Sequence, residues 1–186
     1  MTPAAHSELR ALHEERVVLV DADDVPVGVQ EKLRAHEDGS LHRAVSVFLF
    51  DARGAVLLQR RALAKYHSGG LWSNAACGHP RPEELPLDAA RRRLREEMGI
   101  ACALRPAFRF TYRADLGGGL SEHEVDHVFV GRCETEPDPD PAEVMEWKWV
   151  RLDDARADLR RRPQRYTAWF GLALDEIVAR RAHDAL

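Results

Sequence analysis

The chain has 186 residues, of which 45% are hydrophobic and 31% charged, and its formal net charge is −4 at pH 7. This size and composition predict one folded domain with a substantial core, and they exclude a chain that is disordered throughout. The negative charge argues against a general nucleic-acid-binding protein, and no apolar run approaches the roughly 18 residues that span a bilayer. We therefore expect neither a nucleic-acid nor a membrane partner.

The N-terminus lacks the apolar region of a signal peptide, and the three cysteines, Cys77, Cys102 and Cys133, are too few and too widely spaced for a disulfide framework. Both features are typical of a reducing compartment, so we expect a cytoplasmic protein. The sequence leaves the oligomeric state open, and we take a monomer as the working expectation.

Residues 1–16 are expected to form an N-terminal extension, either a short helix or irregular, ahead of a single domain over residues 17–186. The segment RVVLVD predicts a strand, and VQEKL after the next turn is expected to be extended. The apolar segments AVSVFLFD and AVLLQRR are separated by a turn that contains Gly54, which predicts a β-hairpin.

The segment LDAARRRLREEM has apolar residues at helical spacing, and Gly99 directly after it is expected to end the helix. FRFTYRA, HEVDHVFVGRC and MEWKWVRL predict three more strands, and the acidic, proline-rich ETEPDPDPAEV predicts a loop. The remainder, from Leu152, is expected to be helical with an interruption near Pro163. This mixture predicts an α/β (α+β) fold, a mixed sheet sandwiched between helices.

Residues 78–100, GHPRPEELPLDAARRRLREEMGI, resemble the Nudix box, a fixed pattern of glycine, arginine, glutamate and apolar positions. The matching positions are Gly78, Glu84, Arg92, Leu94, Glu96, Glu97, Gly99 and Ile100. Glutamates on one turn of a helix gather Mg²⁺ or Mn²⁺, which bridges to diphosphate oxygens. A run such as REE alone would more often be a solvated helix face, but the complete register favours a diphosphate site on a Nudix-like fold.

One position departs from the box: Arg93 stands where the pattern has a glutamate. This substitution removes a metal ligand and supplies a group that pairs with phosphate. The helix is therefore expected to bind a diphosphate but to be poorly equipped to hydrolyse it.

Three further segments carry histidine, cysteine and carboxylate side chains: RAHEDGSLHRAVS, SNAACGHP and SEHEVDHVF. Glu122 and Glu124 are two residues apart, so in a strand they point to the same face, where two carboxylates repel each other unless a cation joins them. Together with the altered box, these segments are similar to the type 1 isopentenyl-diphosphate isomerase family. The resemblance covers the chain from about Val17 to the region of Trp169.

The resemblance implies two metal sites. The first would hold Mn²⁺, Mg²⁺ or Zn²⁺, among which ligand type does not choose. Its ligands would be His36, His42, His79, Glu122 and Glu124. The second would hold Mg²⁺ on the diphosphate, through Glu97 and the backbone carbonyl of Cys77.

The other histidines receive ordinary interpretations. The side chains expected on the surface are His6, His13, His67 and His183. His123 and His127 lie on the opposite face of their strand from the two glutamates, where we expect them to pack against apolar neighbours.

The resemblance also implies the reaction, which converts isopentenyl diphosphate to dimethylallyl diphosphate in isoprenoid biosynthesis. A proton must be added to one alkene carbon and another removed from a neighbouring carbon, through a carbocation-like species protected from water. Cys77 and Glu124 match the family's acid–base pair, with Tyr112 beside Glu124 as a hydrogen-bonding partner. Which of the pair adds the proton in the forward direction stays open.

Trp169 matches the aromatic residue over the hydrocarbon tail, whose ring face stabilises a cation. Its position in an apolar helical stripe is equally compatible with ordinary core packing, and a lone buried cysteine such as Cys77 is usually a small hydrophobic residue. Basic positions that match the family's diphosphate contacts are Lys32, Arg61, Lys65 and Arg93. The alternative for Arg61 and Lys65 is the polar end of a strand.

Two other functions remain as alternatives to the isomerase. A Nudix-type diphosphate hydrolase should have a complete set of helix glutamates, which Arg93 interrupts. A Nudix domain that only binds a ligand should lack at least one catalytic position, whereas Cys77, Tyr112 and Glu124 are all present. For the isomerase and the hydrolase alike, the expected partner is a small-molecule diphosphate.

Overall fold

A computed structural model describes residues 15–182, which form one mixed nine-stranded sheet with helices on both faces. The strands are β1 Arg16–Val20, β2 Pro26–Glu31, β3 His42–Phe50, β4 Val56–Arg61, β5 Trp72–Ser73, β6 Ala76–Gly78, β7 Leu104–Gly117, β8 Leu120–Arg132 and β9 Val144–Val150. The helices are α1 Lys32–Asp38, α2 Pro86–Met98, α3 Leu152–Arg161 and α4 Ala168–Ala182, with a 3₁₀ turn at Pro163–Arg165.

Strand β3 lies at the centre of the sheet. It pairs antiparallel with β1, β4 and β6 and parallel with β8, so the sheet is mixed. The parallel register places His42 opposite Glu124, and the antiparallel β7–β8 register places Tyr112 opposite Glu124 on the other side. Three residues far apart in the chain are thereby aligned across adjacent strands.

The two faces of β3 belong to two different apolar clusters. Val45 and Val47 pack in the cluster that includes Leu94 of α2. Phe48 packs in the second cluster, with Phe170 of α4. A strand that is buried on both faces has a nearly continuous apolar sequence, as β3 does. The predicted α/β/α sandwich is confirmed.

Most predicted element positions are also confirmed. Gly54 lies in the β3–β4 turn at φ 79°, and Gly99 directly follows α2 at φ 65°, where a residue with a side chain is disfavoured. The segment over residues 133–143 forms neither helix nor strand.

The described residues include no helix that is long and apolar enough to cross a membrane. The N-terminal extension predicted over residues 1–16 falls largely on residues 1–14, which lie outside the described range.

One predicted element was wrong, and the short strands β5 and β6 were not predicted. VQEKL was expected to be extended throughout, but β2 ends at Glu31 and α1 begins at Lys32. Helix α1 has only seven residues, and its buried residues are Ala35 and His36. Because so short a helix contains no repeated apolar face, the 3.6-residue period that reveals longer helices is missing.

Gly99→Ala is expected to lower the free energy of unfolding by about 3 kcal/mol, because a left-handed backbone and a steric clash add up. A Cβ at Gly99 would lie 2.5 Å from the carbonyl oxygen of Asp138. Gly118→Ala is the matched control, since Gly118 has nearly the same φ, 63°, and nothing lies within 4 Å of its Cβ position. Urea unfolding of both variants measures the difference. We expect a loss of only about 1 kcal/mol for the control, and equal losses would contradict the role of the clash.

Candidate active site

A cavity opens beside the end of β3 and collects polar side chains from nine separate parts of the chain. The lining side chains that sequence analysis had selected are Lys32, Arg61, Lys65, Cys77, His79, Arg93, Tyr112, Glu122, Glu124 and Trp169. The remaining selected residues, His36, His42 and Glu97, are buried directly behind this wall. The structure therefore brings every selected residue to one region.

The five selected metal-ligand residues form one buried group. A ligand atom from each of His36, His42, His79, Glu122 and Glu124 lies within 4.8 Å of the others. His36 comes from α1 and His42 from the first residue of β3. His79 follows β6, and the two glutamates project from the same face of β8. Three histidines and two carboxylates are a suitable donor set for a divalent cation.

Contacts inside this group support the fit to a cation. Nε2 of His42 lies 3.2 Å from Nε2 of His79, and Nε2 of His36 lies 3.0 Å from Oε2 of Glu122. Nδ1 of His42 faces the carbonyl oxygen of Ser40 at 2.8 Å. Because a carbonyl only accepts, Nδ1 carries the proton in a neutral ring, and the lone pair of Nε2 points into the group. A cation at this point would accept the Nε2 lone pair of His42 and offset the charge of the two carboxylates.

The ionisation of the group is set by burial and by its carboxylates. Burial holds the pKa of His79 well below its usual value, and the charge of His42 lowers it further, so His79 is neutral. Burial also lowers the pKa of His42, but the hydrogen bond to Glu124, the charges of Glu124 and Glu122 and the carbonyl of Ser40 together outweigh it, and the pKa rises. For Glu124 burial raises the pKa, yet the contacts with His42, Glu122 and Tyr112 together lower it overall.

Tyr112 holds the second oxygen of Glu124. Its hydroxyl donates to Oε2 at 2.6 Å, while Oε1 lies 2.9 Å from Nε2 of His79. Burial, together with the charge of Glu124, raises the pKa of Tyr112 well above its usual value, so the phenol keeps its proton. The carboxylate is thus fixed between an imidazole and a phenol, with both partners at hydrogen-bonding distance.

Cys77 lies in β6, on the wall of the same cavity. Nη1 of Arg61 donates to its sulfur at 3.5 Å. Burial raises the pKa of the thiol to about 12, and the charge of Glu97 adds to the rise, while Arg61 opposes it. The thiol is therefore protonated at neutral pH and can donate a proton.

Glu97 connects Cys77 to the helix that carries the Nudix-like segment. Its Oε1 accepts the backbone N–H of Cys77 at 3.1 Å, and its Oε2 accepts a short hydrogen bond from the amide of Gln59. The carbonyl of Cys77 accepts Nε of Arg93 at 3.2 Å. Sequence analysis missed Gln59, whose only signal is a single amide within the buried, otherwise apolar part of β4.

Three of the four selected cations reach the cavity in contact with carboxylates, whereas Arg61 contacts the sulfur of Cys77. Nζ of Lys65 and Nη2 of Arg93 share Oε2 of Glu143, at 2.6 and 2.9 Å. Nζ of Lys32 lies 2.9 Å from Glu15. Burial alone would raise the pKa of these two glutamates, but the adjacent cations lower it to about 2 in each case, so both are ionised. Sequence analysis missed both glutamates, because neither belongs to a motif.

Trp169 begins the buried face of α4, and its ring lines the cavity. Its indole N–H donates to Oδ1 of Asn74 at 3.2 Å, and the guanidinium of Arg61 lies 5.5 Å from the ring centroid. The next residue, Phe170, belongs to the apolar core instead. Trp169 thus belongs to the cavity wall, and the core stripe continues without it.

His67 was expected on the surface, and this prediction was wrong. Only 6% of its side chain is exposed, and Nε2 lies 3.5 Å from Oε1 of Glu122. Burial lowers the pKa of His67 to about 2, and the charge of Arg61 lowers it further against the opposing effect of Glu122. The loop over residues 62–71 turns this side chain and that of Tyr66 inward, which no local pattern indicates.

The other histidines are placed as follows. Nδ1 of His123 contacts the carbonyl oxygen of Gly39 at 3.0 Å, and Nε2 of His127 contacts Asp24 at 2.8 Å. Both lie away from the cavity, as predicted. His6, His13 and His183 lie outside the described residues.

Comparison of the sequence with known proteins identifies the family of the chain, and comparison of the structure identifies the same type of fold. Residues 40–170 match the NUDIX domain family. A protein of Aromatoleum aromaticum named isopentenyl-diphosphate Delta-isomerase 1 is 54% identical over 171 residues, which cover 92% of this chain and 97% of the relative. The isopentenyl-diphosphate Delta-isomerase of Burkholderia multivorans is 54% identical over 157 residues, covering 84% of this chain and 89% of the relative.

A crystal structure of a Deinococcus radiodurans protein superposes with a TM-score of 0.71 at 21% sequence identity, covering 87% of this chain and 98% of that chain. At this identity the likeness concerns the fold alone. Together with the matched NUDIX domain, it confirms the Nudix-like fold expected from residues 78–100.

Proposed function

Because the chain belongs to the isopentenyl-diphosphate Delta-isomerase family of NUDIX domain proteins, we propose that it interconverts isopentenyl and dimethylallyl diphosphate. The observation that carries the proposal is one cavity that contains a protonated thiol, Cys77, and a carboxylate, Glu124, beside the aromatic ring of Trp169.

The reaction moves one double bond by two proton transfers. A proton is added to the terminal alkene carbon, which leaves a positive charge on the tertiary carbon, and a proton leaves the adjacent chain carbon to form the allylic product. Cys77 and Glu124 are the two groups for these transfers, and their roles exchange with the direction of the reaction. Tyr112 holds the Glu124 carboxylate in position through the hydrogen bond at 2.6 Å.

The intermediate charge needs a stabiliser that does not itself react. The ring face of Trp169 supplies this through its quadrupole. Its indole N–H is tied to Asn74 at 3.2 Å, which fixes the plane of the ring. Burial of the surrounding groups keeps out water, which would trap the cation as an alcohol.

The diphosphate end of the substrate is assigned to the four cations of the cavity wall. They are Lys32, Arg61, Lys65 and Arg93. Arg93 crosses directly over Gly78, where a Cβ would lie 2.9 Å from its Nε, so this box glycine leaves room for the guanidinium. The arginine side chains pair with phosphate oxygens two at a time, and the lysines add point charge.

Two metal positions complete the proposal. The buried group of three histidines and two glutamates is assigned to Mn²⁺, Mg²⁺ or Zn²⁺. Glu97 and the carbonyl of Cys77 are assigned to Mg²⁺ that arrives with the diphosphate. When bound, these ions favour the ionised form of Glu124 and neutralise diphosphate charge.

Hydrolysis of a diphosphate is the competing reaction for this fold. Among the described contacts, the guanidinium of Arg93 is paired with Glu96, Glu97 and Glu143. A cation therefore stands among the carboxylates that a hydrolase would use for metal ions, which favours the isomerase.

Incubation of the purified protein with isopentenyl diphosphate and Mg²⁺ tests the proposed function. We expect an acid-labile allylic diphosphate to form without free phosphate, because the site transfers protons and has no use for an activated water. The two products are measured in parallel on the same sample. Release of phosphate without allylic product would show a hydrolase and refute the proposal.

A further inference from the structure

The loop over residues 62–71 places a sixth polar group next to the metal-ligand residues. His67 lies in the cavity with 6% of its side chain exposed, and Nε2 faces Oε1 of Glu122 at 3.5 Å. The other oxygen of Glu122, Oε2, lies 3.0 Å from Nε2 of His36. Glu122 thus contacts both the metal-ligand group and His67.

The hydrogen-bonding partners of the His67 ring are complementary. Nδ1 lies 3.1 Å from the hydroxyl of Ser68, which can rotate to donate. A carboxylate only accepts, so the tautomer that satisfies both sides carries its proton on Nε2 and directs it at Glu122. The 3.5 Å separation is longer than a good N–H···O bond, so the contact between Nε2 and Glu122 is a weak one.

The loop conformation keeps this ring in place. Arg61 and Gly70 close the loop with a backbone hydrogen bond of 3.0 Å, and Ser68 has φ 53°. A Cβ on Gly69 would lie 2.7 Å from the carbonyl oxygen of Leu63, so the backbone packs against itself there. The ring of Tyr66 meets the His67 ring edge-on, with centroids 4.4 Å apart. The side chain therefore occupies a fixed position within the cavity wall.

We propose that His67 is a positioning residue that holds the metal-ligand Glu122 through its Nε2–H. His67 is not part of the group whose ligand atoms lie within 4.8 Å of one another, so it acts on the ligand and does not itself coordinate. Partners of this kind fix the orientation of a ligand and contribute about 10- to 100-fold to metal affinity. The inference rests on the proposed metal site.

Metal affinity of the substrate-free protein tests the proposal. The protein is stripped with a chelator and titrated with Mn²⁺, whose free concentration is followed by electron paramagnetic resonance. We expect His67→Phe, which keeps a ring but has no N–H, to weaken Mn²⁺ binding by about 10-fold or more. His67→Gln places an amide N–H near the position of Nε2 and should stay within about 3-fold of the wild type, since the donor is restored.

His127→Ala is the matched control, because His127 is a partly buried imidazole on β8 that pairs with Asp24 outside the cavity. Its Mn²⁺ affinity should equal that of the wild type. A further readout is turnover at saturating metal. Under that condition the turnover of His67→Phe should lie within about 3-fold of the wild-type value, because the substitution affects only metal affinity.

Three results would overturn the inference: wild-type affinity in His67→Phe, equal weakening in His67→Gln and His67→Phe, or a loss of turnover that excess metal does not restore. The last result would make His67 a catalytic residue. If the wild-type protein itself takes up no Mn²⁺ or Zn²⁺, the proposed metal site is refuted together with the inference. The two failures are therefore distinguishable.

Discussion

Cys77→Ala is expected to lower isomerisation by about 10³-fold, the usual contribution of a positioned general acid or base. The thiol of Cys77 carries its proton at neutral pH, since burial raises its pKa to about 12. Alanine removes that proton and leaves the backbone hydrogen bond from Cys77 to Glu97 available. Turnover is measured with isopentenyl diphosphate at saturating Mg²⁺, together with thermal unfolding to show that the fold is intact.

Cys102→Ala is the control, because Cys102 is a partly buried cysteine away from the cavity. It should retain wild-type turnover. The raised pKa also predicts that activity does not decline between pH 7 and 9 through loss of the Cys77 proton, since a thiol with a pKa of about 12 stays protonated over that range. Near-normal turnover in Cys77→Ala would remove this residue from the proton transfers.

Glu124→Gln is expected to lower turnover by about 10³-fold or more, because one substitution removes both a proton carrier and a metal-ligand oxygen. The amide is similar in size to the carboxylate, so the contact with the hydroxyl of Tyr112 can be kept, and the packing should survive. Excess metal is not expected to restore activity.

Glu122→Gln separates the two roles of the carboxylates. Glu122 belongs to the same buried group, but Glu124 is the one that contacts Tyr112. We therefore expect Glu122→Gln to lose metal affinity and to regain much of its turnover when metal is added in excess, whereas Glu124→Gln does not. Metal content and turnover are measured on the same samples. Recovery of Glu124→Gln by added metal would show that Glu124 is only a ligand.

Local sequence patterns were sufficient to predict the longer helices and strands of the fold. Helix α2 could be predicted because thirteen residues contain several turns of apolar spacing, and Gly99 marks its end. Strands β7 and β8 could be predicted because FRFTYRA and HEVDHVFVGRC are rich in aromatic and β-branched residues. Helix α1 could not, since seven residues do not complete enough turns to show a period.

The site residues also fall into those with a local sequence signal and those without one. Residues within a recognisable motif, such as Cys77, Glu97 and Glu124, were selected from sequence and lie at the cavity or directly behind it. Gln59 and Glu143 were missed because their significance lies in their partners. Gln59 contacts Glu97, which is 38 residues away, and Glu143 joins Lys65 to Arg93, which is 50 residues before it.

The sequence by itself determined the order of the longer elements, the Nudix-like register with its arginine at position 93, and the residue types of a metal and proton-transfer site. These depend on neighbours within a few turns or strand residues, where spacing alone decides which side chains share a face. Only the tertiary structure decided that His67 faces Glu122 and that Glu143 bridges two cations. Such contacts depend on how a loop and a helix pack against the sheet, and on burial that changes the pKa of each group.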